Sequence, residues 1–339
     1  MVPEPTSRRH VGVDVVRGLA LLSMFVAHAA PFEPGDLLQL SDFLTAALFA
    51  TLVGVGAGMR PWSGPWGLFS SFLRGLALVV VGLLLEDAGS QVVVILVYLG
   101  VLTWVMALLR PAPNWLLAAL AVYMGVASPW LQNSWSGEYV DLLIAGNTLQ
   151  ARFLEIVFVG MYYRVTTLMV WAILGMLAAR LLLRQGGLGS ARRQLGLGAV
   201  ALSAAAVMFL VLHRGMGRVE LEPYSGTIAE IVFNALLALG VLLLGAAATG
   251  LVEKGVGWLA DMGRMSLTIY SLQILWLAYL GRVVLDGRPD DGWWTFASLV
   301  LGAVALAVTW SAVTPSGTPA RGPLEAGVDG LVRMATPRR

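Results

Sequence analysis

The chain has 339 residues, 58% of them hydrophobic and only 12% charged, with 22 basic side chains against 20 acidic ones. A soluble domain carries about a quarter charged residues, so this chain cannot clothe a globular surface in polar groups, and it is too hydrophobic to be disordered. A net charge of +2 leaves no nucleic-acid footprint, and the absence of Cys excludes disulfide frameworks, Cys zinc sites and thiol catalysis, while 3 His leave little for a metal centre.

These limits imply an integral membrane protein. Its apolar runs are long and continuous, which selects helices over the alternating strands of a barrel. The expected fold is an all-α polytopic membrane bundle of ten helices, at 11–30, 40–59, 68–86, 91–109, 114–131, 163–183, 194–213, 227–251, 265–284 and 293–313. With both termini inside, the cytoplasmic loops hold most of the arginines, among them Arg60, Arg110, Arg264 and Arg321. The outer loops hold most of the acids, among them Glu33, Glu86, Glu138 and Asp291. That asymmetry follows the positive-inside rule. A signal-peptide reading of the first span is disfavoured because Asp14 and Arg17 interrupt its apolar region. The loop 132–162 opens with a Trp/Asn/Ser/Gly cluster and runs into an expected interfacial helix at Asn147–Tyr163. The chain reads as one domain with a cytoplasmic tail at 314–339, which holds a short amphipathic stretch at Leu324–Met334.

Ionisable groups at membrane depth are expensive, so they are the candidates for function. Asp14 and Arg17 lie three apart on one face of the first span and read as an ion pair. His28 stands about 16 Å further along the same helix. Asp42 opens span two at about the same depth, either as a helix N-cap or as a carboxylate that orients the imidazole. Glu230 and Asn234 share a face of span eight, and Thr268, Tyr270, Ser271 and Gln273 make span nine polar. Arg74 either snorkels to the headgroups or faces a cavity and holds a phosphate. Gly54 and Gly58 have the spacing of close helix packing, and no phosphate loop, GxSxG or HExxH pattern is present.

Ordered motifs then suggest a family. The opening from Arg8 through Gly12, Asp14, Arg17, Gly18 and Leu19 to His28 resembles that of bacterial membrane acyltransferase-like proteins related to heparan-α-glucosaminide N-acetyltransferase and to the YeiB-type family. Leu48–Gly56, Gly160-Met161-Tyr162, Leu174–Arg180, Tyr224-Ser225-Gly226-Thr227, Gly263–Gln273 and Gly322-Pro323-Leu324-Glu325 resemble later segments in order. The chain departs from the pattern at Tyr163 (usually Pro), Tyr224 (usually His), Ile269 (usually Asn) and Ala326 (commonly Trp).

The resemblance implies transfer of an acyl group, from acyl-CoA as donor, to a hydroxyl or amine of an extracytoplasmic glycan, glycolipid or metabolite. His28 matches the residue that serves the reaction late in the first helix, with Asp42 or Glu230 as its orienter. Tyr162, Tyr224, Ser225, Thr227 and Gln273 form the expected substrate-binding set, and Arg17, Arg74 and Arg264 the expected CoA-binding set, with no metal. The expected partners are the lipid bilayer and a glycan or lipid acceptor, not nucleic acid, in the cytoplasmic membrane of a bacterium, with a homodimer as the expected assembly. Two other classes compete: a transporter or flippase, whose polar residues line a path, and an assembly subunit, whose polar residues only join helices.

Overall fold

A computed structural model of the chain describes residues 11–32, 36–184, 188–214, 221–247, 257–285, 291–314 and 320–336, and no strand occurs among them. Arg8, Arg9, His10, Glu33, Lys254, Arg338 and Arg339, on which part of the topology and motif reading rests, lie outside these residues. The helices are α1 (Val11–Ala29), α2 (Leu40–Met59), α3 (Gly64–Glu86), α4 (Leu96–Leu109), α5 (Asn114–Ile144), α6 (Thr148–Leu154) and α7 (Val165–Ala178). They continue as α8 (Leu188–Arg214), α9 (Ile228–Ala247), α10 (Gly257–Arg264), α11 (Ser266–Tyr279), α12 (Trp293–Val313) and α13 (Pro323–Ala335). Among the described residues, nine helical stretches are long and apolar enough to cross a membrane, and the shorter apolar α4 stands at the fourth expected span, 91–109. The chain is therefore a multi-pass helical membrane bundle.

Burial sorts the helices into two shells. α1, α2 and α7 are buried along most of their length, and with α9 and α11 they form the inner bundle. α3, α5, α8 and α12 bury few residues and present Leu84, Val122, Val200 and Leu301 outward, as helices that face lipid do. The inner helices approach closely because glycines line their contacts. A methyl group added at Gly54 would overlap the Ala172 carbonyl of α7, one at Gly58 would meet Met176 and Ala179, and one at Gly175 would meet Thr51. Gly18 and Gly263 do the same between α1 and α10, against Leu259 and the Asp14 carbonyl. Gly56, two residues from Gly54 and so on another face of α2, meets nothing within 4 Å.

Two expectations are corrected. The segment 132–162 is not a long loop. α5 runs unbroken for 31 residues through the Trp/Asn/Ser/Gly cluster and over Pro129. At 1.5 Å per residue it spans about 46 Å, longer than the roughly 30 Å hydrocarbon core, so its outer end projects beyond the membrane. α6 and a π-helical turn (Glu155–Val159) fold back along it, with Phe158 stacked on Trp135. Arg152 ties this hairpin to the end of α3 through Glu86 at 2.6 Å. Asp42, in turn, is not an N-cap. A 3-10 turn at Leu37–Gln39 leads into α2, whose cap residue is Gln39, and Asp42 lies inside the first turn.

The glycine contacts give a paired test. Gly54→Val should lower stability by about 1–3 kcal/mol through overpacking of α2 on α7. Gly56→Ala should be neutral or stabilising by about 0.5 kcal/mol. Thermal unfolding of the two variants in detergent, followed by tryptophan fluorescence, separates them; equal losses would contradict the packing described.

Candidate functional site

The polar residues gather at the two ends of the inner bundle. A single hydrogen bond sets the level of the outer group. Ser23 of α1 and Thr45 of α2 meet at 2.7 Å, and the two helices run antiparallel. Counting outward from that pair, His28 lies five residues along α1 and Asp42 three residues back along α2. Their levels differ by about 3 Å at the helical rise.

The structure nevertheless gives them different neighbours. His28 Nδ1 lies 2.8 Å from Nε2 of Gln273 on α11. Gln273 is buried, and its Oε1 has no hydrogen-bond partner among the described residues. Asp42 lines a small pocket with Tyr162, Tyr163, Arg164, Trp171, Tyr224, Glu230 and Asn234, and His28 is not among its walls. This pocket, of about 10 Å³, holds about one water molecule.

Glu230 organises the segment in front of α9. Its carboxylate accepts hydrogen bonds from the backbone N–H of Tyr224 at 3.0 Å and of Gly226 at 2.5 Å, from Ser225 Oγ at 3.4 Å and from Asn234 Nδ2 at 3.1 Å. Thr227 Oγ1 accepts from the Glu230 N–H at 3.2 Å. Those bonds hold Tyr224 at φ 63°, a left-handed conformation rare outside glycine. Tyr224 packs edge-on against Tyr163 and Tyr162. Burial, and then the Tyr163 phenol and the Asp42 carboxylate, push the Tyr224 phenol well up. Burial and Asp42 do the same to Tyr163. Both therefore remain O–H donors at neutral pH. Arg164, buried at the start of α7, closes the pocket by donating to the carbonyl of Gly160 at 3.1 Å and that of Tyr224 at 3.5 Å. The expectation that Asp42 or Glu230 orients His28 is corrected: the two acids share a pocket of their own, and Gln273 of the expected substrate set is the side chain that bonds the imidazole. Tyr162 sits half exposed at the pocket rim, and Ser225 and Thr227 belong to the turn beside it.

At the other end, a cavity of about 440 Å³ is lined by Arg17, Arg60, Arg74, Arg110, Arg264 and Arg321. The three arginines expected from sequence are all in its wall, and three more join them. Arg17 pairs with Asp14 at 2.8 Å, Arg264 pairs with Asp261, and Arg74 pairs with Asp329 of α13 at 2.6 Å. Arg321 also pairs with Asp329. Arg110 is spent on the backbone: it donates to the carbonyls of Arg60 and Pro61 and stacks over Trp62. Arg60 has no counter-charge among the described residues. Enclosure, and then Arg74, Arg110, Arg17 and Arg321 around it, push its guanidinium down to about 10, so it is still a cation at neutral pH.

In sequence, Arg60, Arg110 and Arg321 read as ordinary loop charges. The signal for Arg60 is its place one residue after a glycine-rich span. From Arg60 the cavity follows α2 past Ala57, Gly56 and Val53 to Phe49, eleven residues or about 16 Å. Its mouth is cationic and its interior is apolar, with Gly56 and Ala57 making room among larger side chains such as Phe49, Leu52, Leu78 and Met106. Among the described residues, no group of three His, Cys, Asp or Glu could hold a metal ion.

Removing the Glu230 carboxylate should free the turn it holds. Glu230→Ala should destabilise the protein by about 3 kcal/mol, since buried N–H groups left unbonded cost about 1–3 kcal/mol each, and Glu230→Gln should retain most of the loss. Melting temperature together with limited proteolysis around residue 224 measures this; a wild-type cleavage pattern for Glu230→Ala would contradict the role.

Comparison with known proteins agrees with this architecture. No curated protein matches the chain. The family model described as an acyltransferase domain matches residues 10–313, which takes in α1 through α12, with the outer polar group and every cavity arginine except Arg321. The chain belongs to this acyltransferase family, as a membrane-spanning member.

Proposed function

We propose that the protein transfers an acyl group from acyl-CoA, bound in the arginine-lined cavity, to a hydroxyl or amine of an extracytoplasmic glycan, glycolipid or metabolite. The observation that carries this reading is the shape and charge of the cavity. Arginine suits phosphate because its planar fork pairs two oxygens at once, and a slot of about 16 Å lined with apolar side chains suits a thin acyl-pantetheine arm. Arg60 is the principal phosphate ligand, with Arg17, Arg74, Arg264 and Arg321 around it. His28 acts at the outer end of the same helix that carries Arg17, about 13 Å beyond the level of Phe49 on the helical rise, so the arm must advance past the end of the slot to bring the thioester to it.

The proton inventory follows from Gln273. With its amide oxygen turned toward His28, Nδ1 carries the proton and donates it, and Oε1 gains the partner it otherwise lacks. Nε2 then presents a lone pair. Nε2 takes the proton of the acceptor hydroxyl as the oxygen attacks the thioester carbonyl carbon. The C–S bond breaks, and the CoA thiolate leaves with the proton returned by the imidazolium. Tyr163 and Tyr224 remain protonated as donors to the acceptor, and Asp42 takes a hydrogen bond from it. The outer pocket is too small for a sugar, so the acceptor enters as Tyr162 swings from the rim.

The finer kinship to heparan-α-glucosaminide N-acetyltransferase and YeiB-type proteins rests on the ordered motifs, as does the assignment to a bacterial cytoplasmic membrane. A homodimer remains the proposed assembly.

The test compares acyl masses in the envelope and secreted glycans of a deletion strain carrying wild type, His28→Ala, Gln273→Leu or Gly56→Leu at matched membrane abundance. His28→Ala should lose about 100-fold or more of the transfer. Gln273→Leu should lose less, and Gly56→Leu should fail by blocking the slot. Restoration of the acyl mass by His28→Ala would remove His28 from the chemistry. No acyl mass difference between deletion and wild type would sink the transferase reading and favour transport.

A further inference from the structure

α13 enters the cavity with two carboxylates one turn apart on the same face, and they are held very differently. Glu325 caps the start of α11. It accepts from the Leu267 N–H at 2.6 Å, the Thr268 N–H at 3.2 Å and Thr268 Oγ1 at 2.6 Å. Three such bonds with no competing charge make a firm anchor. Asp329 has instead the two arginines Arg74 and Arg321. Their side chains keep 29% and 40% of their exposure, and that of Asp329 13%. The carboxylate is largely enclosed, but both guanidiniums keep some solvent exposure, from which another anion can compete for them. The opposite face of α13 carries Leu331 and Met334, both exposed, and the helix is docked at that end by the buried Val332 alone.

We propose that Asp329 is a specificity-determining residue, an internal carboxylate that occupies the Arg74–Arg321 anion position and makes the cavity selective for polyanions. The inference rests on reading the cavity as the donor site. A carboxylate fixed on a docked helix competes at an effective concentration of roughly millimolar or more. A free anion with one or two charges must displace it for a gain of about the same size, and therefore binds poorly. A ligand with several phosphates gains Arg60 as well, a cavity arginine with neither a carboxylate partner nor, unlike Arg110, main-chain carbonyls to bond among the described residues. It can then take Arg74 and Arg321 from Asp329 while Glu325 keeps α13 attached to α11. The residual negative charge of Asp329 and Glu325 also disfavours an anion that lacks the charge to replace it.

The experiment uses the full-length protein in detergent, with CoA, inorganic pyrophosphate and inorganic phosphate as probes in calorimetric titrations of wild type and Asp329→Asn. An anion site that loses its internal competitor binds more tightly by the fraction of time it had been occupied, so CoA and pyrophosphate should tighten about tenfold. Phosphate should tighten more, so the preference for polyanions shrinks. A merely structural role for Asp329 would move all three the other way. Unchanged or weakened binding of all three overturns the proposal.

Should Asp329→Asn not give monodisperse protein, hydrogen exchange on the wild type decides. Amides of Leu324–Ala335 should exchange faster with CoA bound and not with phosphate, and slower or unaltered exchange overturns the proposal. If pyrophosphate shows the expected changes while CoA binds neither protein, the selectivity stands and the acyl-CoA reading fails. If CoA binds both equally and Arg60→Ala abolishes it, the donor reading stands and the role of Asp329 fails. If none of the three binds, both fail.

Discussion

Six arginines facing one cavity at one end of a membrane bundle are the constraint around which the inner half of this protein is built. Two like charges several ångströms apart at an interior dielectric repel by about 2 kcal/mol. The cluster is therefore tolerable only where each charge is compensated or wet. Four of the six have carboxylate partners supplied from three helices, with Asp14 on α1, Asp261 on α10 and Asp329 on α13. Arg110 is satisfied largely by main-chain carbonyls, which leaves Arg60, exposed at the cavity mouth, as the cation without a partner among the described residues. A bundle that only needed positive charge at its inner face would leave these arginines in the headgroups. Drawing them inward around 440 Å³ of space makes sense when an anion completes the set.

The same helix that brings Arg60 to the cavity also makes room for it. On α2, Gly54 and Gly58 press against α7, and Gly56 looks into the cavity from another side. The glycines on the first face let two inner helices touch backbone to backbone, and the one on the second keeps the slot open. In lipid, close contact of this kind supplies the packing that the hydrophobic effect supplies in water. Rigidity on one face and space on the other thus come from a single run of small residues.

Most of the architecture was legible because hydrocarbon thickness imposes a length on every span and charge asymmetry orients them. The Asp14–Arg17 pair and the places of Arg17, Arg74 and Arg264 in the cavity wall also followed from spacing and depth. The remainder was hidden for specific reasons. The cluster from Gln132 to Gly137 has a loop's composition, yet it is helical because α5 and α6 pack on each other outside the membrane. Arg60, Arg110 and Arg321 sit at span ends, where a headgroup arginine and a cavity arginine look the same in sequence. Arg164 is buried for a tertiary reason, the carbonyls of Gly160 and Tyr224. Glu325 and Asp329 show only as an i, i+4 pair of acids on an amphipathic stretch; the groups Glu325 caps lie 57 and 58 residues away, and of the partners of Asp329 only Arg321 is local while Arg74 is distant. His28 and Asp42 were rightly placed at one level, but a one-dimensional depth cannot say which way a side chain turns around its helix, and Gln273 on α11 meets the imidazole instead.

The two ends of the bundle differ in how ready they are. At the inner end the cavity is open and its last charge has no partner among the described residues. At the outer end the polar groups are closed on one another, and Tyr224 is held at φ 63° by the bonds that Glu230 makes to its neighbours. A left-handed residue with a side chain costs about 1–2 kcal/mol, which the saturated Glu230 carboxylate offsets while the turn stays closed. Tyr163 and Tyr224 are in contact with each other there, and together they line the pocket that holds Asp42. On the proposed reaction this asymmetry orders the encounter: the donor enters a site that already exists, and the acceptor must open one. The strained turn is the element with least to lose by moving, because relaxing Tyr224 returns part of what opening consumes.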